Sequence, residues 1–312
     1  MAGPSIEDYR AAAAHPERRI GGRRAGGRRD GGEARTSAAA PVVISVVTVV
    51  RNARDALART LESVLDQGWE ALDYIVIDGA STDGTVDVIR AYEDRLALWI
   101  SEPDGGIYDA MNKGIAHAEG DVVGLLNAGD RYAPGALRAV AAAFREHGAE
   151  CIYYGDVLMR YVELGLELPT AADLDALRYT CTLPHPSVFI PRAVYARDGL
   201  YELRYTLASD CAYLAAQLFA GRRFHHIERT LSVFTDDGRS STRKGFFRSR
   251  RELVAFHRAA RSGYAWKSAL YAAFEIFLFL AHSLFRPLVG SRVAGALRRV
   301  FLHWRLRWRK RR

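Results

Sequence analysis

VVGLLNAGD, residues 122–130, is an apolar run that ends abruptly in a short polar turn closed by Asp130. A run that is apolar throughout is typical of a strand buried on both faces, as in a parallel sheet between two layers of helices. The same pattern appears at residues 42–50, where VVISVVTVV precedes a polar loop and then apolar residues at helical spacing. Ligands bind beyond the carboxyl ends of such strands, so the sequence places Asp130 where it can hold a metal ion against a phosphorylated substrate.

The first half of the chain alternates between strands and helices about every 25 residues, which predicts a doubly wound α/β sheet. The predicted strands are 42–50, 73–78, 96–101, 122–130 and 151–157, and the predicted helices are 57–65, 86–92, 107–117 and 136–144. Beyond residue 160 the alternation fades, leaving a lone strand at 185–190 and a helix at 209–219. This region is expected to form an acceptor-binding half built onto the sheet.

Charge is concentrated at the two ends of the 312-residue chain, whose net charge is +8. Residues 1–40 have a net charge of +3 and residues 286–312 of +10, which leaves −5 for residues 41–285. Basic ends on an acidic body suggest an anionic partner, either a membrane or a nucleic acid. The Ala-, Gly- and Arg-rich composition of residues 1–40 predicts a disordered basic arm outside the fold.

Three cysteines, Cys151, Cys181 and Cys211, have neither a CxxC spacing nor a histidine cluster around them. This pattern indicates neither a zinc site nor a disulfide framework, and it predicts three buried thiols in a reducing compartment.

An apolar zone at residues 265–289 is roughly long enough to approach a bilayer span, which requires about 20 residues. Glu275 and His282 interrupt it and count against spanning. We expect an amphipathic helix lying in the membrane interface, followed by a tail at 304–312 in which Trp is interleaved with Arg. The alternative is a hydrophobic helix packed on the main domain or on a second subunit.

Four polar, glycine-bearing loops follow successive predicted strands, at residues 48–52, 78–83, 104–112 and 127–130. Loops of this kind converge into a crevice in which short residues let the backbone approach a nucleotide. The GxxxxGK[ST] pattern is absent, and GxGxxG does not follow the first strand. These absences argue against a P-loop NTPase and a dinucleotide-dependent oxidoreductase.

The combined order and spacing of these loops resembles the successive motifs of the family 2 glycosyltransferases, and in particular bacterial enzymes of the colanic-acid and exopolysaccharide type. The segments that carry the resemblance are VVTVVRN (46–52), IDGASTDGT (77–85), DGGIYDAMNKG (104–114) and LNAGD (126–130). The resemblance implies a GT-A fold: a doubly wound mixed sheet with a nucleotide-sugar half at 41–158 and an acceptor half at 159–245. Residues 246–312 would then be a C-terminal helical, membrane-associating extension with a basic tail.

The resemblance also implies an activity: inverting transfer of a sugar from a nucleoside diphosphate sugar to a glycan or lipid-linked acceptor in polysaccharide biosynthesis. The enzyme is expected in the cytoplasm, at the inner face of the cell membrane, with no nucleic-acid partner. By resemblance Asp210 is the general base, although it also suits the start of a helix. His185 would line the acceptor pocket.

Asp130 matches the metal-binding Asp-x-Asp element of the family, but this turn offers a single carboxylate. One or two protein oxygens suffice for Mg²⁺ or Mn²⁺, because water and substrate phosphates supply the other ligands.

The resemblance also implies roles for two other carboxylates. Asp78 matches a carboxylate that accepts from the nucleotide base, or it caps the next turn. Asp104 contacts sugar or ribose, caps the following helix, or does both. The other residues implied to contact the donor are Thr48, Arg51, Asn52, Ser81, Asp83, Gly106, Asn112, Lys113, Asn127 and Arg239.

Two other functions are compatible with parts of the pattern. A nucleotidyltransferase has a similar sheet, but it usually needs a glycine-rich basic loop after the first strand, and residues 51–55 contain no glycine. A nucleic-acid-binding protein would rest on the basic ends alone. The acidic balance of the body disfavours this second alternative.

Overall fold

The computed structural model describes residues 5–11, 19–21, 41–162, 165–235 and 242–280. Its strands are β1 Arg19–Gly21, β2 Ile44–Val50, β3 Leu72–Asp78, β4 Leu98–Ser101, β5 Val122–Asn127, β6 Arg131–Tyr132, β7 Cys151–Tyr161, β8 Leu166–Thr170, β9 Val188–Pro191 and β10 Arg223–Thr235. Its helices are α1 Ile6–Ala11, α2 Arg54–Leu65, α3 Thr85–Ala91, α4 Ile107–His117, α5 Ala136–His147, α6 Arg192–Asp198, α7 Ser209–Phe219, α8 Arg243–Ala259 and α9, which covers residues 265–280.

The described strands form one mixed sheet in the order β1-β4-β3-β2-β5-β9-β7-β10-β6, with β8 paired to β7. The four strands β4, β3, β2 and β5 lie parallel to one another at its centre. Every residue of β2 is buried, as its uniformly apolar sequence predicts. The strand β9 then pairs antiparallel with β5 and β7, which makes the sheet mixed.

Helices cover both faces of this sheet, so its apolar residues divide between two cores. One core packs α2, α3 and α5 against the sheet and includes Leu61 and Val140, and the other packs α4, α6 and α7 and includes Met111 and Leu214. The helix α4 lies so close to β2 that a Cβ on Gly114 would collide with the side chain of Val47. The doubly wound α/β architecture predicted from the sequence is therefore confirmed.

Part of the N-terminal arm belongs to the fold, contrary to the prediction that residues 1–40 lie outside it. The helix α1 packs on α4, where the Tyr9 hydroxyl donates to Asp109 Oδ1 over 2.8 Å and Arg10 Nε donates to the carbonyl oxygen of Ala116 over 2.7 Å. The strand β1 adds antiparallel to the edge of β4. Composition failed here because these contacts depend on partners about a hundred residues away in sequence. The remaining residues of the arm lie outside the described part of the chain.

At the C-terminal end, α8 packs on α7 through Leu253 and Phe256. The chain then turns, and α9 returns along α8, as shown by the stacking of Phe279 on Phe246 and the ion pair between Glu275 and Arg250. None of the helices within the described residues is long and apolar enough to cross a membrane. The rest of the predicted apolar zone and the basic tail, residues 281–312, lie outside the described residues.

Candidate active site

The carboxyl ends of β2, β3, β4 and β5 meet at one edge of the sheet, where backbone hydrogen bonds join their loops. The amide of Gly79 donates to Val50 O over 2.9 Å, and the amide of Glu102 donates to Asp78 O over 3.0 Å. The amide of Ala128 donates to Val49 O over 3.1 Å. The four loops picked out in the sequence therefore share one edge, as the topology of a parallel sheet requires.

The first two loops are locked together by polar side chains. Asn52, in the left-handed region at φ 49°, accepts from the amide of Thr82 through Oδ1 over 2.9 Å. The backbone N–H of Asn52 donates to Ser81 Oγ over 2.7 Å. Asp83 accepts from the amide of Arg54 over 3.2 Å. Three predicted donor contacts, Asn52, Ser81 and Asp83, thus build the walls of the crevice.

Asp78 anchors the second loop from within. Its side chain is wholly buried. One carboxylate oxygen accepts from the amide of Ser81 over 3.0 Å and from Ser101 Oγ over 2.6 Å, and the other accepts from Ser81 Oγ. Of the two interpretations open from the sequence, this geometry supports the turn cap.

Asp104 and Arg51 present a carboxylate and a guanidinium near one another at the same edge. Asp104 Oδ1 accepts from the amide of Gly106 over 3.0 Å at the start of α4, and Oδ2 lies against Gly79, where a Cβ would collide with it. Burial raises the pKa of Asp104, although the positive charges of Lys113 and Arg51 oppose this shift. Gly106 adopts φ 126°, and the space beside its Cα is open. This pair suits a sugar hydroxyl and a phosphate oxygen of one ligand.

Thr48 and Asn112 are wholly buried rather than exposed to a ligand. Thr48 Oγ1 lies 3.0 Å from the hydroxyl of Tyr74. The amide of Asn112 bridges both backbone groups of Tyr201, donating to its carbonyl over 2.9 Å and accepting from its N–H over 3.0 Å. Both residues were predicted to contact the donor, and the structure instead gives them bonds that hold α4 and the sheet in place.

Lys113 is held by ion pairs on α4 and the adjoining loop. Its Nζ lies 2.9 Å from Glu102 Oε1 and 3.4 Å from Asp109 Oδ2, and it donates to Pro103 O over 2.9 Å. These bonds give Lys113 a structural role, and its contact with the donor stays a prediction. Lys113 fixes the loop that carries Asp104.

The turn after β5 brings Asn127 and Asp130 together with the end of β10. Asp130 is 4% exposed, and its Oδ1 accepts from the amide of Thr235 over 3.0 Å. Asn127 Oδ1 is buried and has no hydrogen-bond partner among the described residues. A buried acceptor of this kind calls for a donor or a cation. Within the described part of the chain, no group of three or more His, Cys, Asp and Glu side chains is placed to hold a metal ion.

On the acceptor side, Asp210 lies in the first turn of α7 with its side chain 14% exposed. Its Oδ1 accepts from the Tyr108 hydroxyl over 2.7 Å, and Oδ2 lies 3.6 Å from His185 Nδ1. Burial alone would raise the pKa of Asp210, but the interactions with His185 and Tyr108 outweigh it, so the pKa is lowered. The two residues predicted for the acceptor side, Asp210 and His185, are therefore brought together.

Sequence reasoning missed Tyr108, which stands on α4 only four residues after Asp104 and joins the donor loop to Asp210. An aromatic residue in the first turn of a helix reads as ordinary core, and no spacing reveals a partner 102 residues away. Arg239, predicted to meet the diphosphate, lies outside the described residues.

A disulfide joins Cys181 to Cys211, the residue after Asp210, with Cα atoms 5.4 Å apart. The prediction of three free thiols is therefore wrong for this pair, whereas Cys151 is buried and free. The bond ties the loop that leads to His185 to the helix that carries Asp210. Spacing gave no sign of it because the chain returns to the same place only after 30 residues.

Comparison with known proteins gives the chain its family. The sequence model for Glycosyl transferase family 2 matches residues 45–163. An uncharacterized glycosyltransferase of Mycobacterium tuberculosis is 36% identical over 177 residues, which cover 55% of this chain and 67% of the relative. The chain belongs to glycosyltransferase family 2. The chain is thus a glycosyltransferase.

Other relatives of this glycosyltransferase have more specific names. A PGL/p-HBAD biosynthesis glycosyltransferase of M. tuberculosis is 32% identical over 176 residues, or 55% of this chain and 68% of the relative. A putative teichuronic acid biosynthesis glycosyltransferase, TuaG of Bacillus subtilis, is 32% identical over 120 residues, or 38% of this chain and 48% of the relative.

Among solved structures, residues 1–349 of S. aureus TarS in complex with UDP match with a TM-score of 0.54 and 19% identity. The match covers 69% of this chain and 65% of that chain. The same part of TarS in complex with UDP-GlcNAc gives a TM-score of 0.55 at 18% identity, covering 69% and 66% of the two chains. At this identity the likeness concerns the fold, and it confirms the predicted GT-A architecture.

Proposed function

We propose that this glycosyltransferase moves a sugar from a nucleoside diphosphate sugar to a hydroxyl group of a glycan or lipid-linked acceptor, with inversion at the anomeric carbon. The observation that carries the proposal is the environment of Asp210. Its carboxylate is held in one orientation by the hydroxyl of Tyr108 and by His185 Nδ1. An ionised carboxylate held in one orientation is suited to general-base catalysis.

In the proposed reaction, an acceptor hydroxyl bound near His185 gives its proton to Asp210 as its oxygen attacks the anomeric carbon. The new glycosidic bond forms while the bond from the anomeric carbon to the diphosphate oxygen breaks. The nucleoside diphosphate leaves with that electron pair. Tyr108 is a positioning residue, because its hydroxyl donates to Asp210 Oδ1. The other oxygen, Oδ2, then lies on the side of His185.

The donor would lie against the loops that follow β2 to β5. Arg51 is an exposed cation beside Asp104. Its planar guanidinium is suited to bind the phosphate oxygens of a diphosphate. Asp104 would accept from a hydroxyl of the sugar or ribose. The open space and positive φ at Gly106 leave room for the ligand at the start of α4. Contact of the base with Ser81, and of the diphosphate with Arg239, are parts of the same proposal.

The turn after β5 fits a divalent cation. Asn127 Oδ1 is a buried acceptor to which no described residue donates, and the carboxylate of Asp130 stands three residues on. Asn127 and Asp130 would hold Mg²⁺ or Mn²⁺ together with water and the donor phosphates. Such an ion, when bound, offsets the charge that develops on the leaving diphosphate.

The names of the relatives support an acceptor in the cell envelope, since the curated relatives act in PGL/p-HBAD biosynthesis and putatively in teichuronic acid biosynthesis. TarS, with which the chain shares its fold, has been solved with UDP-GlcNAc. We therefore propose polysaccharide or glycolipid synthesis at the cytoplasmic face of the membrane, with UDP-sugars first among the donors to test.

The test is Asp210→Asn, which keeps the size and the hydrogen-bonding shape of the side chain but removes its basicity. Transfer from the donor found by screening UDP-, GDP- and dTDP-sugars should fall by about 10²- to 10⁴-fold, while the donor Kd stays unchanged by calorimetry. Asp87→Asn is the matched control, because Asp87 is 80% exposed and its carboxylate pairs with Arg90 of the same helix, α3. An Asp210→Asn enzyme as active as that control would remove Asp210 from the role.

A further inference from the structure

The helix α9 exposes a continuous stripe of large apolar side chains, here called the apolar face. Its members recur at spacings of three and four residues, which places them on one side of a helix. Their exposed fractions run from 42% to 66%, and they are Trp266, Leu270, Phe274, Phe277 and Leu280.

The opposite side of α9 carries the polar residues and faces the protein. Ser268 is 2% exposed, and Glu275 is 7% exposed and forms an ion pair with Arg250 of α8. On the same side, the ring of Phe279 stacks on Phe246 with centroids 4.8 Å apart. A surface helix of a globular protein normally buries its apolar stripe and exposes its charges. In α9 this arrangement is reversed.

In the sequence, the charge of Glu275 interrupts the apolar zone. The ion pair of Glu275 with Arg250 removes this objection to a membrane-facing helix. Because the carboxylate points inward and is neutralised by Arg250, it does not interrupt the apolar face. At the start of α9, the Nζ of Lys267 lies 5.6 Å from the ring centroids of both Trp266 and Tyr264. Lysine beside amphipathic aromatic rings is typical of the headgroup layer of a bilayer.

The surface around this face is strongly basic. Residues 242–280 contain eight Lys and Arg but only two acids. Both acids are satisfied inside the protein, Glu275 by Arg250 and Glu252 by Thr206, the amide of Leu207 and Arg248. The exposed basic residues of α8 and the turn that follows it are Arg243, Lys244, Arg248, Arg251, Arg258 and Arg261. Residues 281–312 add ten Lys and Arg and no acid to the sequence.

We infer that the apolar face of α9 docks in the plane of an anionic lipid bilayer, with the basic side chains of α8 meeting its headgroups. Along its described residues α9 packs one side on α8 and turns the apolar face outward, so the helix presents its side to the bilayer and lies along the membrane surface. A second copy of the chain fits less well, because it would bring two equally positive surfaces together. This docking is independent of the assignment of Asp210.

The test measures binding of the full chain to vesicles by sedimentation. Wild type should bind vesicles of equimolar phosphatidylcholine and phosphatidylglycerol more tightly than vesicles of phosphatidylcholine alone, with an affinity that falls as salt is added. Leu270→Ser combined with Phe277→Ser should weaken binding about tenfold or more, since it removes two side chains that lipid would bury.

Val162→Ser combined with Leu203→Ser is the matched control, because these residues are 51% and 46% exposed elsewhere on the surface. It should bind vesicles as wild type does. Equal vesicle binding by the α9 double variant would overturn the inference and leave binding to the basic tail. A wild-type dimer in analytical ultracentrifugation that dissociates in the α9 variant, without vesicle binding, would overturn it in favour of a second copy. Donor hydrolysis by each variant reports separately on the active site.

Discussion

Removal of one hydroxyl group, in Tyr108→Phe, isolates the contribution of the contact that orients Asp210. The tyrosine is 7% exposed, and its hydroxyl donates to Asp210 Oδ1 over 2.7 Å. Phenylalanine fills the same space, so the variant leaves the apolar packing with Tyr201 intact. What is lost is a hydrogen bond to an ionised carboxylate.

Such a bond contributes about 1.5–3 kcal/mol. Asp210 is 14% exposed, so screening by solvent reduces this value little. Because the bond favours the ionised carboxylate, its loss in Tyr108→Phe should raise the pKa of Asp210. If Asp210 is the base, the acidic limb of the kcat/KM profile should move to higher pH in the variant.

Unfolding in urea tests the same contact without a substrate. The folded-state pKa of Asp210 lies below the ordinary value of 3.8. Its ionised form therefore contributes stability that is fully present above that value and is lost as the pH falls through the folded pKa. The destabilisation in Tyr108→Phe should be largest near neutral pH and should shrink as the solution is acidified through this range. Because the folded-state pKa of Asp210 is lowered, this pH range lies below the ordinary value of 3.8.

Tyr195→Phe is the matched control for this experiment. Its hydroxyl is 3.0 Å from that of Tyr201 in the same buried tyrosine cluster, so it bonds another tyrosine rather than Asp210. Its effect on the free energy of unfolding should be about 1 kcal/mol and should not depend on pH in this range. A Tyr108→Phe variant with the same pH-independent loss, and an unmoved acidic limb, would refute the role given to this contact.

Three further changes test other parts of the site. Asn112→Ala leaves the buried N–H and C=O of Tyr201 unpaired and should lower the free energy of unfolding by about 2–5 kcal/mol in urea titrations; a loss under 1 kcal/mol would contradict the bridging role. Asp130→Ala should abolish the Mn²⁺-dependent part of donor binding in calorimetry, and equal affinities with and without metal would sink the assignment. Cys181→Ser opens a 30-residue loop and should cost about 3.5 kcal/mol, whereas a variant as stable as wild type would show that the bond with Cys211 constrains little.

Much of the fold is visible in the sequence because buried parallel strands are almost continuously apolar. The strand β2 and the turn after β5 stand out for this reason, and the bounds of α4 and α7 match the predicted 107–117 and 209–219. Convergence of the four loops follows from topology alone. The sequence also predicted that His185 and Asp210 share the acceptor side, through its resemblance to a family.

What the sequence did not predict depends on pairings between distant residues. Whether Asn112 faces a ligand or bridges Tyr201 is decided by a loop 89 residues away. The same holds for Tyr108 and Asp210 and for the two bridged cysteines. Periodicity reports which face of an element is apolar, but it does not report which polar partner a neighbouring element supplies.

The strand β1 has a practical consequence for work on the isolated domain. The family match begins at residue 45, and a chain trimmed to it would lose the pairing of Arg19–Gly21 with the edge of β4. The uncovered strand reads LWIS and would present unpaired N–H and C=O groups in a short apolar segment. Open edges of this kind recruit strands from other molecules. The three residues of β1 belong to an arm that its composition assigns to disorder, yet they cover the edge of β4. The trimmed domain should therefore aggregate more readily than the longer chain.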